Sequence, residues 1–313
     1  MAGKIVVFGA SGFAGGHVAA AARARGWEVC PVASHARPGA DSPPWRVADV
    51  ANEGEVRALL DELCPDAVVN AAAIADIDKA EREQDVARRI NTQGARYVAE
   101  WCGQSGGAGG GSRSPRLVFF STDAVFSGDA PSYREEDTPA PVNFYGRTKW
   151  EAEQAVLKAC PGAAVIRVSL ILGFPITGGN SALVKMQEKL GRGEPMFFPP
   201  EERRSPIDVH TLSECVLELV ENSYRGILHL SSAEGIDRFE LAVRLARRMG
   251  LDTGLILAQT PDAAHPLVAT GKYTVYKRAP RHRNGVLDVS LAQRVLRTPM
   301  PTVDQAIERA LRS

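Results

Sequence analysis

Short apolar runs, rich in β-branched residues, alternate along most of this chain with longer stretches whose apolar residues recur at helical spacing. The runs Ile5–Phe8, Glu28–Val32, Ala67–Asn70, Leu117–Ser121, Ala164–Val168 and Ile227–Leu230 read as strands. They are nearly continuous in apolar character, as strands buried on both faces must be. Helices are predicted near 14–25, 53–63, 80–102, 145–159 and 211–222. This alternation predicts an α/β architecture: a doubly wound parallel sheet whose right-handed crossovers place helices on both faces. Ligands of such sheets sit at the carboxyl ends of the strands.

After Leu172 the alternation weakens, and prolines at 175, 195, 199, 200 and 206 cut the chain into short pieces. The expected organisation is a main domain over 1–172, rejoined by about 208–231. Segments 173–207 and 232–313 then form a smaller C-terminal lobe over the sheet's carboxyl edge. Thr211-Leu-Ser-Glu214 and Asp237-Arg-Phe-Glu240 both read as capping boxes that start helices. The stretch Gly103–Arg116 (GQSGGAGGGSRSPR) is too polar and glycine-rich to bury a face, and is expected to be a mobile spacer at the amino edge.

Lys plus Arg and Asp plus Glu both total 37, so the net charge is zero. Neither nucleic acid nor an anionic membrane is indicated as a partner. The five cysteines form no C-x-x-C pair, and no apolar run reaches the length of a membrane span. A strand begins at Ile5, with no signal segment before it, so a cytoplasmic protein is expected. The six histidines show no metal-ligand spacing, and no metal is expected.

Gly9-Ala-Ser11-Gly12-Phe13-Ala14-Gly15 follows the first strand and opens a helix. In that context a glycine-rich turn suits a dinucleotide. The first glycine permits the turn, the second lets backbone approach a pyrophosphate, and the third allows tight packing of the helix on the sheet. A turn that merely joins strand to helix is the plainer alternative. Beyond the second strand, Val32-Ala-Ser34-His-Ala-Arg37 contains no acid to bind a ribose 2′-hydroxyl. Arg37 suits a 2′-phosphate, which favours NADP(H) over NAD(H), unless Arg37 is simply a solvated loop residue. Ala71-Ala72-Ala73, after the fourth strand, would let backbone approach the same ligand. Ser121 and Val168 close their strands at the same edge and complete the expected contact set.

Tyr145 and Lys149 stand four residues apart at a helix start, hence on one face. An ammonium beside a phenol lowers the phenol's pKa, and the pair would supply a proton donor. A core tyrosine and an exposed lysine would show the same spacing. Thr122, at a strand end, offers a hydroxyl to a substrate carbonyl, and Asp123 either assists proton transfer or orders the loop.

GASGFAG, NAAAIADIDKAE (70–81), STDAVFSG (121–128), PAPVNFYGRTKWEAE (139–153) and GILHLSS (226–232) together resemble the extended short-chain dehydrogenases, and among them the dTDP-4-dehydrorhamnose reductase family. The resemblance implies a Rossmann sheet with a smaller substrate lobe, and a catalytic set of Thr122, Tyr145 and Lys149. It implies that Asp49-Val50 lies against the adenine and that Asn91 organises the site. It also implies a homodimer.

The family's R-T-S-W-V-Y-G reads Arg167-Val-Ser-Leu-Ile-Leu-Gly173 here, and its S-T-D-Y-V-F has Ala124 in place of the aromatic. The segment from Ser132 to Gly146 is also similar to the regulatory beta subunit of methionine adenosyltransferase. The resemblance therefore implies an NAD(P)H-dependent carbonyl reductase, acting on a ketone such as a nucleotide-linked 4-keto sugar. A sugar-nucleotide epimerase or dehydratase with bound NAD, and a non-catalytic NADP-binding subunit, are the alternatives. Lys272, Lys277, Arg278, Arg281, His282 and Arg283, with Arg203 and Arg204, would neutralise a diphosphate if they face the cleft, and otherwise form a solvated surface.

Overall fold

The computed structural model describes residues 3–35, 45–108, 114–258 and 278–312, side chains at 105–108 excepted. Seven parallel strands form the main sheet: β1 (Lys4–Phe8), β2 (Glu28–Ala33), β3 (Arg46–Val47), β4 (Ala67–Asn70), β5 (Arg116–Thr122), β6 (Ala164–Val168) and β7 (Gly226–Leu230). Their spatial order is β7-β6-β5-β4-β1-β2-β3. The direction of the order reverses between β1 and β4, and a crevice opens there at the carboxyl edge. The predicted α/β doubly wound sheet is the observed one.

Alternation along each strand divides the core in two. Ile5, Val7, Val118, Phe120 and Ile166 face one side, where they meet α1 (Phe13–Ala24). Val6, Phe8, Leu117, Phe119 and Val165 face the other, against α2 (Glu53–Leu63) and the later helices of that layer. Successive strand residues point to opposite faces, so an apolar run is what a sheet covered on both sides needs.

The helix predicted over 80–102 is instead four pieces. They are α3 (Ile77–Arg82), α4 (Gln84–Arg88), a π-helical turn Arg89–Gly94, and α5 (Ala95–Ala108). Periodicity cannot register a π turn, which inserts one residue without breaking the apolar face. The helix also runs on into the glycine-rich stretch, of which residues 109–113 lie outside the described part. Gly103 there is a packing residue. A Cβ would come within 2.0 Å of the Ala159 carbonyl, at the end of α6 (Phe144–Ala159).

Past β6, the short strands Ile171–Leu172 and Ile207–Asp208 pair, and between them α7 (Ala182–Gly191) packs into a separate apolar cluster. Next comes α8, which spans Val209–Glu221. It does not start from Thr211: Asp208 caps it, accepting from Thr211 N at 2.8 Å. Asp237 does cap α9 (Arg238–Arg248), accepting from Glu240 N, while the Glu240 carboxylate pairs with Arg244. Val289, Ala292, Leu296 and Met300 return to the main sheet's core. No helix among the described residues is long and apolar enough to cross a membrane.

Candidate active site

A cavity of about 620 Å³ lies over the crevice. Its floor is the glycine turn. Gly9 has φ +76°, and a Cβ there would fall 2.7 Å from both Ala71 C and Ala72 N. A Cβ on Gly15 would lie 2.3 Å from the Gly9 carbonyl oxygen. These two glycines let the turn close on itself and on the Ala71–Ala73 segment. Gly12 is different. A Cβ there would meet only the Gly9 carbonyl, at 3.3 Å, and would otherwise project into open space. Gly12 also caps α1 without a side-chain hydrogen bond, which leaves the helix amino end to an anion. This cradle fits a dinucleotide pyrophosphate.

Of the residues expected at the cofactor, Gly9, Gly12, Phe13, Ala14, Gly15, Ala71 and Ala73 line the cavity. Ser121, Thr122, Asp123, Tyr145, Lys149 and Val168 line its deeper part. The remaining expected residues that are described lie off the cavity wall. Ser34 is exposed at the end of β2 and bonds His35 at 2.9 Å, while Arg37 lies outside the described residues. Asp49 closes a turn through Ala51 N at 2.9 Å, and Val50 is buried in the core below Gly94. Ala72 donates its N–H to Asn70 Oδ1 at 3.1 Å. Ser11, in the turn itself, has a polar contact of its own.

Asn91 is fully buried on the π turn. It accepts from Ile74 N at 2.8 Å, donates to Ile74 O at 3.2 Å, and donates to Thr148 Oγ1 at 3.0 Å. It therefore pins the loop after β4 to α6, acting on the cavity wall from behind.

Asn143 caps α6 and sets its start, accepting from Gly146 N at 2.8 Å. From that first turn Tyr145 and Lys149 face the cavity together. Burial pushes the phenol up to about 12, with the Asp123 charge adding to the rise and a Thr122 hydrogen bond opposing it. Burial likewise draws Lys149 down to about 7, opposed by Glu153. Lys149 is 2% exposed, and its Nζ sits 4.1 Å from the centre of the Phe119 ring. The expectation that an ammonium makes this phenol more acidic is thus corrected. Both groups are desolvated, and desolvation favours the neutral forms of each. A neutral phenol is the form that can donate a proton.

Behind Lys149, one helical turn on, Glu153 is 0% exposed and accepts from Arg167 Nε at 3.0 Å and Nη2 at 2.8 Å. Ser121 Oγ donates to the same carboxylate at 2.5 Å. Thr122 Oγ1 donates to Asp123 Oδ1 at 3.1 Å, and Ser169 Oγ donates to Asp123 Oδ2 at 2.8 Å. Burial alone would raise the Asp123 carboxyl, but His282, Arg204 and Ser169 hold it at about 2.

The chain after β6 supplies the facing wall with Arg204, Arg238, Arg281 and His282. Of the basic stretch, Arg281 and His282 therefore reach the cavity. Arg278 is 43% exposed at its side chain, and 272 and 277 lie outside the described residues. Arg238 and Ser169 were not anticipated. Ser169 follows a strand at the carboxyl edge, a signal that could have found it. Arg238 follows a helix cap, and nothing local marks it as facing a cavity.

Comparison with known proteins agrees with this geometry. The family model for the RmlD substrate binding domain matches residues 3–313. The chain belongs to that family. It is 34% identical over 220 residues to a probable dTDP-4,6-dihydroxy-2-methyloxan-3-one 4-ketoreductase of Streptomyces antibioticus, covering 69% of this chain and 70% of that one. It is also 28% identical over 268 residues to the methionine adenosyltransferase 2 subunit beta of Danio rerio, covering 83% and 78%. Among solved structures, the dTDP-4-dehydrorhamnose reductase of Bacillus anthracis in complex with NADP superposes with a TM-score of 0.82 at 25% identity, over 99% of both chains. The resemblance drawn from the motifs is thereby established for the family and the fold.

Proposed function

We propose that this chain is an NAD(P)H-dependent ketoreductase that acts on a nucleotide-linked 4-keto sugar. One observation carries the reading: a single cavity joins the glycine cradle, the Tyr145–Lys149–Thr122 cluster and a wall of arginines. The reduced nicotinamide, when bound, supplies the hydride for the keto carbon. Tyr145 holds the proton that goes to the keto oxygen, and burial keeps the phenol neutral until that transfer. Lys149, fixed on the same helix face, orients the sugar of the cofactor through its donors. Arg238 and Arg281, on the cavity wall, suit a diphosphate, because guanidinium groups bind planar oxyanions bidentately.

NADPH is the preferred donor in this reading. The described end of β2, Ala33-Ser34-His35, carries no carboxylate to receive a ribose 2′-hydroxyl or to repel a 2′-phosphate. Arg37, four positions past β2 in the sequence, is the cation expected to pair with that phosphate. Loss of NADPH absorbance on adding a dTDP-linked 4-keto-6-deoxy sugar tests the activity, and no turnover with any nucleotide-linked ketone would overturn it. Arg37→Ala should weaken NADPH more than NADH; equal effects would remove the preference.

The likeness to the methionine adenosyltransferase beta subunit supports a second reading, a cofactor-binding regulatory partner. Stable capture of an adenosyltransferase catalytic subunit, with no ketone turned over, would favour it.

A further inference from the structure

The segment 173–181, between Leu172 and α7, lies against the glycine turn and is fastened there by a side chain that the reductase reading does not use. Thr177 Oγ1 donates to Ala10 O at 3.0 Å and to Gly12 O at 3.2 Å. Gly12 O also takes the Gly16 N–H at 3.1 Å, as a helix carbonyl does. Gly16, one position past the three glycines of the turn, makes room for the threonine. A Cβ there would fall 2.1 Å from Thr177 Oγ1 and 3.2 Å from Thr177 Cβ. Two residues on, Gly179 has φ +101°, and a Cβ on it would fall 2.5 Å from Phe13 N. Bare backbone thus reaches the amino end of α1 without a side chain to cover the Phe13 amide. Both ends of the segment are held as well. His17 Nε2 lies 2.8 Å from Phe174 O, and Ser181 Oγ donates to Gly173 O at 2.5 Å. Gly12, Phe13 and Gly179 line the cavity, while Thr177 stands off its wall.

The carbonyl of one residue and the N–H of the next belong to one planar trans peptide, and they point in opposite directions. A hydroxyl that fixes Ala10 O and Gly12 O therefore also fixes the Ser11 and Phe13 amides, which turn away from it. Amides turned to one side at a helix amino end are what a phosphate oxyanion needs.

We infer that Thr177 is a positioning residue of the cofactor site: lodged in the space left by Gly16, its hydroxyl holds two peptide units of the glycine turn so that their amides are presented to the dinucleotide pyrophosphate. The segment that leads into α7 thereby sets cofactor affinity without touching the cofactor through a side chain. This shares with the proposed function the binding of a dinucleotide at the turn, and it requires no ketone.

The test is fluorescence titration of the cofactor-free protein with NADP+ and with NAD+. Thr177→Val keeps the shape and removes the hydroxyl. It should raise Kd about tenfold, the worth of one hydrogen bond, and by the same factor for both dinucleotides, because both carry the pyrophosphate. Thr177→Ser keeps the hydroxyl and should stay within about twofold of wild type, which a loss of packing alone would not allow. An unchanged Kd in Thr177→Val, a loss confined to one dinucleotide, or an equal loss in Thr177→Ser would overturn the inference. A double-mutant cycle supplies the second measurement. Gly16→Ala strikes the Thr177 hydroxyl and should also raise Kd about tenfold, whereas in the Thr177→Ala background it should cost less than about twofold. Equal losses in both backgrounds would refute the inference. Failure of both dinucleotides to bind the wild type would overturn it together with the cofactor site. Binding with these effects but no ketone turned over would remove the reductase reading and leave the role of Thr177 standing.

Discussion

Replacing Arg167 with Met tests whether the buried ion pair beneath the catalytic helix is a keystone of the fold. Arg167 is 1% exposed and Glu153 0%, and their two contacts are 3.0 and 2.8 Å. The guanidinium also lies 4.9 Å from the Phe126 ring centre and donates to Glu135 O at 3.3 Å. Methionine restores most of the volume but no charge. Glu153 would then keep only the Ser121 hydroxyl, in a place water does not reach. Removing one partner of such a pair costs about 3–5 kcal/mol, because the remaining charge stays buried and uncompensated. At roughly 2–4 °C per kcal/mol for a large domain, the melting temperature should fall by about 10 °C.

The double variant Arg167→Met with Glu153→Gln removes both charges and leaves the amide to Ser121. It should recover to within about 2 kcal/mol of wild type, since a neutral pair of similar volume avoids the desolvation penalty. Thermal and urea unfolding of the wild type, both singles and the double variant provide the comparison. A loss below about 1 kcal/mol for Arg167→Met, or a double variant no more stable than the single, would refute the reasoning. The location matters for function too, because Glu153 lies one turn from Lys149 and holds Ser121 on the cavity wall.

Other outcomes follow from the same geometry. Tyr145→Phe should reduce turnover at least about a thousandfold while leaving NADPH affinity within about threefold, as binding titration and steady-state kinetics will separate. Gly15→Ala places a methyl 2.3 Å from the Gly9 carbonyl oxygen and should weaken cofactor binding more than tenfold by fluorescence titration. Normal affinity would mean that the turn does not carry the cofactor. Lys149 gives a pH signature. Its pKa is about 7 in the folded chain against an ordinary 10.5, so between these values the unfolded chain holds more protons. Stability should therefore rise with pH across that window in the cofactor-free protein. Lys149→Met should flatten the rise, and an identical pH dependence in both proteins would contradict the depressed value.

The sequence by itself determined the sheet, the glycine turn and the pairing of Tyr145 with Lys149. Each is written in local spacing: a doubly buried strand is an apolar run, a tight turn needs glycine, and residues four apart share a helix face. Tertiary structure alone decided the protonation of that pair, because desolvation depends on what surrounds a group and not on its neighbours in the chain. It also decided the π turn under Asn91, and the meeting of Arg204 and His282 with Asp123. Those residues lie 81 and 159 positions beyond Asp123. They reach it because later segments of the chain fold back over the carboxyl edge, where glycines at 128 and 285 leave room. Close approach between distant segments leaves no periodic mark in a sequence, so it could be seen only once the chain was folded.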